Sequence, residues 1–262
     1  MLSNFLFKPP LFPSLYTARN ATIPHLKNRA AMHASFSSPA PSPSPPNNGN
    51  NTKIILFDVM DTLITDPFYQ HMPNFFSMSF DELLQTKHPT AWVSFETGDI
   101  EEEELFTNFF ADGRQFDGPA LVEYMIDKYE WIEGMPEVLL NLSAAGYELH
   151  AFSNYPTWYK YIEKKLQLSR YLNWTFVSCE GALKGLRKPK KEAYSAVIDY
   201  FGRPAHELMF IDDRQANVDA ALAAGMKALR FSGRVEELKK DLSSATGTDL
   251  FPSSSSGNSR SA

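Results

Sequence analysis

Four short apolar runs, each stopping at a polar or acidic residue, restrict this chain to very few architectures. Ile54-Ile55-Leu56-Phe57 runs into Asp58, and Leu149-His150-Ala151-Phe152 into Ser153-Asn154. Trp174-Thr175-Phe176-Val177 runs into Ser178, and Leu208-Met209-Phe210-Ile211 into Asp212-Asp213. Runs this short and this continuously apolar are the signature of strands buried on both faces of a parallel sheet. Between them lie helical patterns over 135–145, 189–201 and 216–224, closed by Gly146, Gly202 and Gly225, the second of them opened by Pro189. Strands alternating with helices predict an α/β fold with a doubly wound parallel sheet. In such sheets ligands bind beyond the carboxyl ends of the strands, where Asp58, Ser153-Asn154 and Asp212-Asp213 would gather.

Residues 66–134 break the rhythm. They hold amphipathic segments such as 80–86 and 101–110 but no convincing strand, and 14 of these 69 residues are Phe, Trp or Tyr. We read a helical insertion, a cap after the first strand, whose rings either form the core of a small bundle or, in part, line a lid that stacks on a flat ligand. The core is then 51–65 with 135–242. The two ends read as non-globular. Residues 1–50 carry seven Ser, nine Pro and scattered bases without one acid, the composition of an organelle transit peptide followed by a disordered linker. Its Ser- and Pro-rich, modestly Arg-rich character favours the chloroplast stroma as destination. Residues 243–262, rich in Ser, Thr and Gly, predict a disordered tail.

Charge sharpens this division. The whole chain is −6, but no acid occurs in 1–57, so residues 58–262 hold 20 bases against 31 acids and carry −11. A body so acidic is not a general nucleic-acid binder. No apolar run approaches the roughly 20 residues of a membrane span. The lone Cys179 excludes an intramolecular disulfide framework and fits a reducing compartment.

The strand-end residues suit phosphoryl transfer. Three carboxylates there match a hard divalent cation such as Mg²⁺, which prefers oxygen ligands. Asp58 can double as a nucleophile, forming an aspartyl-phosphate that water then hydrolyses. A phosphoryl group in transfer carries charge on three oxygens, so donors and a cation are needed as well, and Ser153, Asn154 and Lys188 are the candidates. The basic stretch Lys184, Arg187, Lys188, Lys190, Lys191 either guides an anionic substrate or, Lys188 apart, is a solvated helix start. His88, His150 and His206 show no metal-ligand spacing and read as structural.

The order Asp58-Val-Met-Asp-Thr62, Ser153-Asn154, Lys188-Pro189 and Asp212-Asp213-Arg-Gln-Ala-Asn217 resembles the four motifs of the haloacid dehalogenase superfamily of phosphohydrolases. The resemblance spans about residues 53–231 and implies a Rossmann-like core with a helical cap after the first motif. It also implies that Asp58 is nucleophile and Mg²⁺ ligand, with the Met60 backbone carbonyl and Asp213 as further ligands and Asp212 beside them. Ser153 and Lys188 would hold the phosphoryl group, and Thr62 and Asn217 would support the site. The dehalogenases of the superfamily lack the metal-binding acid pair, so Asp212-Asp213 argue for phosphate chemistry.

One position departs from the pattern. The superfamily's phosphatases usually place a second Asp two residues after the nucleophile, as general acid and base. Here that place is Met60, and Asp61 follows where Gly is usual. A one-residue shift in extended backbone turns a side chain to the other face. Either the loop brings Asp61 to the leaving oxygen, or another group or water does that task, or turnover is slow; alternatively Asp61 only caps the turn. A further set, Asp66-Pro-Phe-Tyr, His88-Pro-Thr-Ala-Trp92, Phe95-Glu96, Gly98, Phe152-Ser-Asn-Tyr-Pro156, Lys165-Leu166 and Arg187-Lys-Pro189, is similar to the plant chloroplast flavin mononucleotide (FMN) hydrolases. That similarity implies release of riboflavin and phosphate from FMN. Two alternatives stay open: a phosphatase for another small ester, such as the ribityl-phosphate pyrimidine intermediate of riboflavin synthesis, and a non-catalytic flavin- or phosphate-binding protein that kept the cradle and lost the acid.

Overall fold

A computed structural model describes residues 53–252; the expected transit peptide and linker, and residues 253–262 of the expected tail, lie outside them. Strand β1 (Lys53–Phe57) is followed by five short helices, α1 (His71–Phe75), α2 (Phe80–Thr86), α3 (Ala91–Glu96), α4 (Glu102–Asn108) and α5 (Gly118–Lys128). Then come α6 (Met135–Ala144), β2 (Tyr147–Ser153), α7 (Tyr159–Leu166), β3 (Asn173–Val177), α8 (Lys191–Phe201), β4 (Leu208–Asp212), α9 (Gln215–Ala223), β5 (Lys227–Arg230) and α10 (Val235–Thr246). The strands form one parallel sheet in the order β3-β2-β1-β4-β5.

The order explains why the apolar runs are unbroken. β1 sits at the centre and is covered on both faces: Ile55 and Phe57 point into one cluster with α6, α7 and α10, while Ile54 and Leu56 point into another with α8 and α9. The register pairs Phe57 with Ala151 of β2 and with Ile211 of β4, so the next residues, Asp58, Phe152-Ser153 and Asp212, emerge together at the carboxyl edge. Full burial of a Phe of this kind contributes about 1.5–3 kcal/mol relative to leaving it in water.

The helix stops are where punctuation residues stand. Gly146, Gly202 and Gly225 all adopt positive φ, 83°, 59° and 84°. Helix α8 begins at Lys191 rather than at Pro189. In the insertion, Ser79 and Glu82 cap α2 reciprocally: Glu82 N–H donates to Ser79 Oγ (3.2 Å) and Ser79 N–H to Glu82 Oε2 (2.9 Å). The cap is not a separate bundle, because Leu83, Phe95, Leu105 and Phe109 belong to the same apolar cluster as Val59, Leu139 and Leu149 of the core.

Two expectations change. A fifth strand, β5, extends the sheet at an edge; its residues are half-buried or exposed, so it presents no apolar run. The tail is not loose from Ser243: α10 continues to Thr246, with Leu238 and Leu242 buried one turn apart, and Leu250 and Phe251 fold back on the core. Polar composition hid two anchoring side chains. Leu250 is only 6% exposed, so Leu250→Ala should cost about 2 kcal/mol or more in denaturant unfolding; a cost near zero would return this segment to a loose tail.

Candidate active site

Asp58 follows β1, Asp212 ends β4 and Asp213 follows it, so strand pairing brings one oxygen from each of the three carboxylates within 4.8 Å of the others. Between the first two stands Lys188. Its Nζ donates to Asp58 Oδ1 (2.8 Å) and Asp212 Oδ2 (2.7 Å), while the rings of Phe152 and Phe210 lie 5.1 and 4.8 Å away. Burial alone would lower the Lys188 ammonium, but Asp212 and Asp58 outweigh it and its pKa lies above the ordinary lysine value. Burial and the neighbouring acids push Asp58 up to about 7 against the pull of Lys188, and Asp213 up to about 6.

The carboxylates are not equivalent. Asp212 is fully buried, and both its oxygens are engaged: Arg214 N–H and Asn217 Nδ2 donate to Oδ1 (2.8 and 3.0 Å), Asn217 Nδ2 and Lys188 Nζ to Oδ2 (2.9 and 2.7 Å). It orients Lys188 and the start of α9. Asp213 keeps a buried Oδ1 without a hydrogen-bond partner among the described residues, and its N–H donates to the buried Thr62 Oγ1 (3.1 Å). An orphaned carboxylate oxygen beside two other acids is a donor set that fits Mg²⁺, for which oxygen ligands and partial hydration suffice. Asp58 and Asp213 would hold it, with the Met60 carbonyl from the loop as a further expected ligand, whereas Asp212, also expected as a ligand, has both oxygens taken by Lys188, Arg214 and Asn217; Met60 itself lines the cleft.

Of the expected phosphate donors, Ser153 Oγ is buried at the end of β2 and has no hydrogen-bond partner among the described residues. Asn154 is different. Its Nδ2 donates to Lys188 O (2.8 Å) and its Oδ1 accepts from Lys188 N–H (2.9 Å), so the amide is spent on holding the lysine backbone and positions Lys188 rather than phosphate. Asp61 adopts the left-handed conformation (φ 53°), Oδ1 accepts from Asp66 N–H (2.8 Å), and the residue is not among those lining the cleft. This is the turn-capping arrangement.

Over the acids the cap closes a cleft of about 280 Å³, near the lower end for small-molecule pockets. Phe68, Tyr69, Phe80 and Trp92 form its aromatic side, with Phe68 and Trp92 centroids 5.1 Å apart. Asp66, Glu96, Arg187 and Arg214 add charge to the wall. Arg187 Nη2 lies 2.8 Å from Glu96 Oε2, yet Arg187 Nε has no hydrogen-bond partner among the described residues. Of the basic stretch, Lys184, Lys190 and Lys191 are exposed, as the solvated reading expects, whereas Arg187 turns to the cap. Trp92 Nε1 donates to Glu96 Oε1 (2.7 Å), and burial, against Arg187 and Trp92, raises the Glu96 pKa. Arg214 Nη2 donates to Tyr69 OH (2.5 Å), tying the first turn of α9 to the cap. Sequence reading placed Asp66 and Glu96 only inside a resemblance and missed Arg214; their positions depend on how the cap lies on the core.

The expected structural histidines have local roles or none in the cleft. His88 Nδ1 accepts from Ala91 N–H (3.2 Å) at the start of α3, and the buried His150 bridges Thr175 and Glu148.

A family model of haloacid dehalogenase-like hydrolases matches residues 52–225. The chain is 50% identical over 190 residues, 72% of its length and 76% of the relative's, to flavin mononucleotide hydrolase 1, chloroplastic, of Arabidopsis thaliana. A HAD-like family hydrolase from Porphyromonas gingivalis superposes with TM-score 0.59 at 19% identity, covering 74% of this chain and 98% of that one. A HAD family enzyme from Bacteroides thetaiotaomicron, in complex with magnesium and inorganic phosphate, superposes with TM-score 0.56 at 21% identity over 68% and 93%. These two share the fold. Because protons occupy Asp58 and Asp213 up to about pH 7 and 6, Mg²⁺ must displace them, and its affinity should rise roughly tenfold or more from pH 6 to pH 8 with proton release. Titration calorimetry in buffers of different ionisation heat checks this; an affinity flat across that range would contradict the site.

Proposed function

The chain belongs to the haloacid dehalogenase-like hydrolases, and from that membership we propose that it is a Mg²⁺-dependent phosphatase that converts FMN to riboflavin and phosphate. The observation that carries the substrate is the composition of one cleft: Asp58 and Lys188 on its floor, aromatic rings and a half-satisfied Glu96–Arg187 pair on its cap side. A flavin has the matching halves. Its flat ring system fits between apolar rings, and its pyrimidine edge alternates carbonyl acceptors with an N–H donor that an arginine and a carboxylate can meet.

The chemistry follows from the floor. Lys188 holds Asp58 Oδ1, which leaves Oδ2 to attack phosphorus in line with the ribityl oxygen, and an aspartyl-phosphate forms. The Lys188 ammonium and the Ser153 hydroxyl stabilise charge on the phosphoryl oxygens. A bound Mg²⁺ supplies neutralisation for the same oxygens, so that an acidic protein accepts a dianion. Water then cleaves the aspartyl-phosphate. The acid-free leader and the chloroplastic relative support action in the chloroplast.

A second reading is motivated by Met60, which leaves the usual acid position empty of a carboxylate: a protein that binds flavin or phosphate without turnover. A panel separates it, and other small esters, from FMN hydrolysis. Protein spanning residues 51–262 should release phosphate from FMN with a higher kcat/KM than from other phosphate esters. Asp58→Asn should lower it roughly a thousandfold or more, as loss of a covalent nucleophile does elsewhere. Equal release by both proteins would sink the mechanism, and binding without turnover would favour the second reading. Trp92→Leu should raise KM for FMN about tenfold, the scale of one lost stacking contact, with little change for p-nitrophenyl phosphate. Equal effects on both esters would place Trp92 outside ring recognition.

A further inference from the structure

The turn after the nucleophile poses a chemical problem. An alkoxide is a poor leaving group, so ester cleavage needs a proton at the ribityl oxygen, and the later attack by water needs a base. Met60 has no proton to give, and Asp61, whose Oδ1 accepts from Asp66 N–H, does not line the cleft. The left-handed turn at Asp61 and its bond to Asp66 have a second effect: they set the backbone of Asp66 where its side chain lines the same cleft as Asp58.

We infer that Asp66 is the general acid and base of this enzyme, taking over the task usually given to the residue at Met60. The inference rests on the phosphatase reading but not on FMN being the ester. Among the described residues the one hydrogen bond to the Asp66 carboxylate is from Phe68 N–H to Oδ1 (2.9 Å), so Oδ2 remains for a substrate oxygen. The surroundings hold the group protonated near neutrality. Burial pushes its pKa up to about 7, with Asp61 and Glu96 adding to the rise and Phe68 N–H and Arg214 opposing it. Tyr69, Tyr129 and Tyr155 are the remaining ionisable groups that feel its charge. Arg214 lines the same cleft and is close enough to Asp58 and Asp66 for each carboxylate to favour its charged form.

The steps balance. As Asp58 Oδ2 bonds to phosphorus, the phosphorus–ribityl oxygen bond breaks and the Asp66 proton moves to that oxygen, releasing riboflavin. Asp66, now a carboxylate, takes a proton from water as the water oxygen bonds to phosphorus. The phosphorus–Asp58 bond breaks, phosphate leaves, and Asp66 is again protonated.

The test is leaving-group dependence. Because kcat/KM reports only steps through alcohol release, Asp66→Asn should lose about a hundredfold or more on FMN and less than about tenfold on p-nitrophenyl phosphate, whose phenolate leaves without help. Along a series of substituted phenyl phosphates the loss should grow with leaving-group basicity. With p-nitrophenyl phosphate the variant should also show a stoichiometric burst of nitrophenol, because the water step lacks its base. An equal loss on every ester would overturn the inference, as would a leaving-group-dependent loss from Asp61→Asn instead. Asp66→Ser provides the same reading should Asp66→Asn fail to fold. If wild-type protein cleaves the phenyl esters but not FMN, the substrate is wrong and Asp66 is still tested; if it cleaves neither, both readings fall.

Discussion

Lys188 carries a positive charge into a place from which water is excluded, and it is tolerated there because Asp58 and Asp212 stand 2.8 and 2.7 Å from its Nζ. An isolated buried ion would cost several kcal/mol, and removing one member of a buried pair typically costs about 3–5 kcal/mol because it strands the other. Much of the surrounding structure serves this arrangement. The adjacency of β1 and β4 delivers the two acids, Asn154 clamps the lysine backbone, Asn217 saturates Asp212, and Phe152 and Phe210 wall the ammonium on its apolar side. The result leaves one Asp58 oxygen and an Asp213 oxygen uncommitted, which are the two atoms that covalent and metal chemistry need.

Sequence alone made the sheet legible for a physical reason. A strand buried on both faces must be apolar throughout, so β1, β2 and β4 announced themselves, while the edge strand β3 did so through its buried Phe176-Val177 end. β5, at the other edge, was invisible because none of its residues is buried and it carries no apolar run. Leu250 and Phe251 were hidden for the opposite reason, two anchors in a segment whose composition is otherwise that of a tail.

The site divides in the same way. Asp58, Asp212, Asp213 and Lys188 could be named because the motif spacing and the strand ends agree. Asn154 carried the right chemistry and the wrong direction, since an amide can serve a phosphate or a backbone and only geometry decides. Asp66, Glu96 and Arg187 could not be assembled from spacing. The first depends on a left-handed turn at a non-glycine residue, and the other two meet only when the cap lies against the loop that follows Gly185.

That meeting is tighter than a packing contact. Ser178 Oγ donates to Glu96 O (2.5 Å) and Gly185 N–H to Thr97 O (3.2 Å), Trp158 Nε1 reaches Glu102 Oε2 (2.5 Å), and Gly98 presses so close that a methyl group there would sit 2.2 Å from Cys179 O. The α3–α4 side of the cap is thus stitched to the core like the spine of a book. Across the mouth of the cleft, Tyr69, 44% exposed, reaches to Arg214. The Glu96–Arg187 pair sits on the stitched side, so the cleft wall that carries it is held by the same bonds that join cap to core.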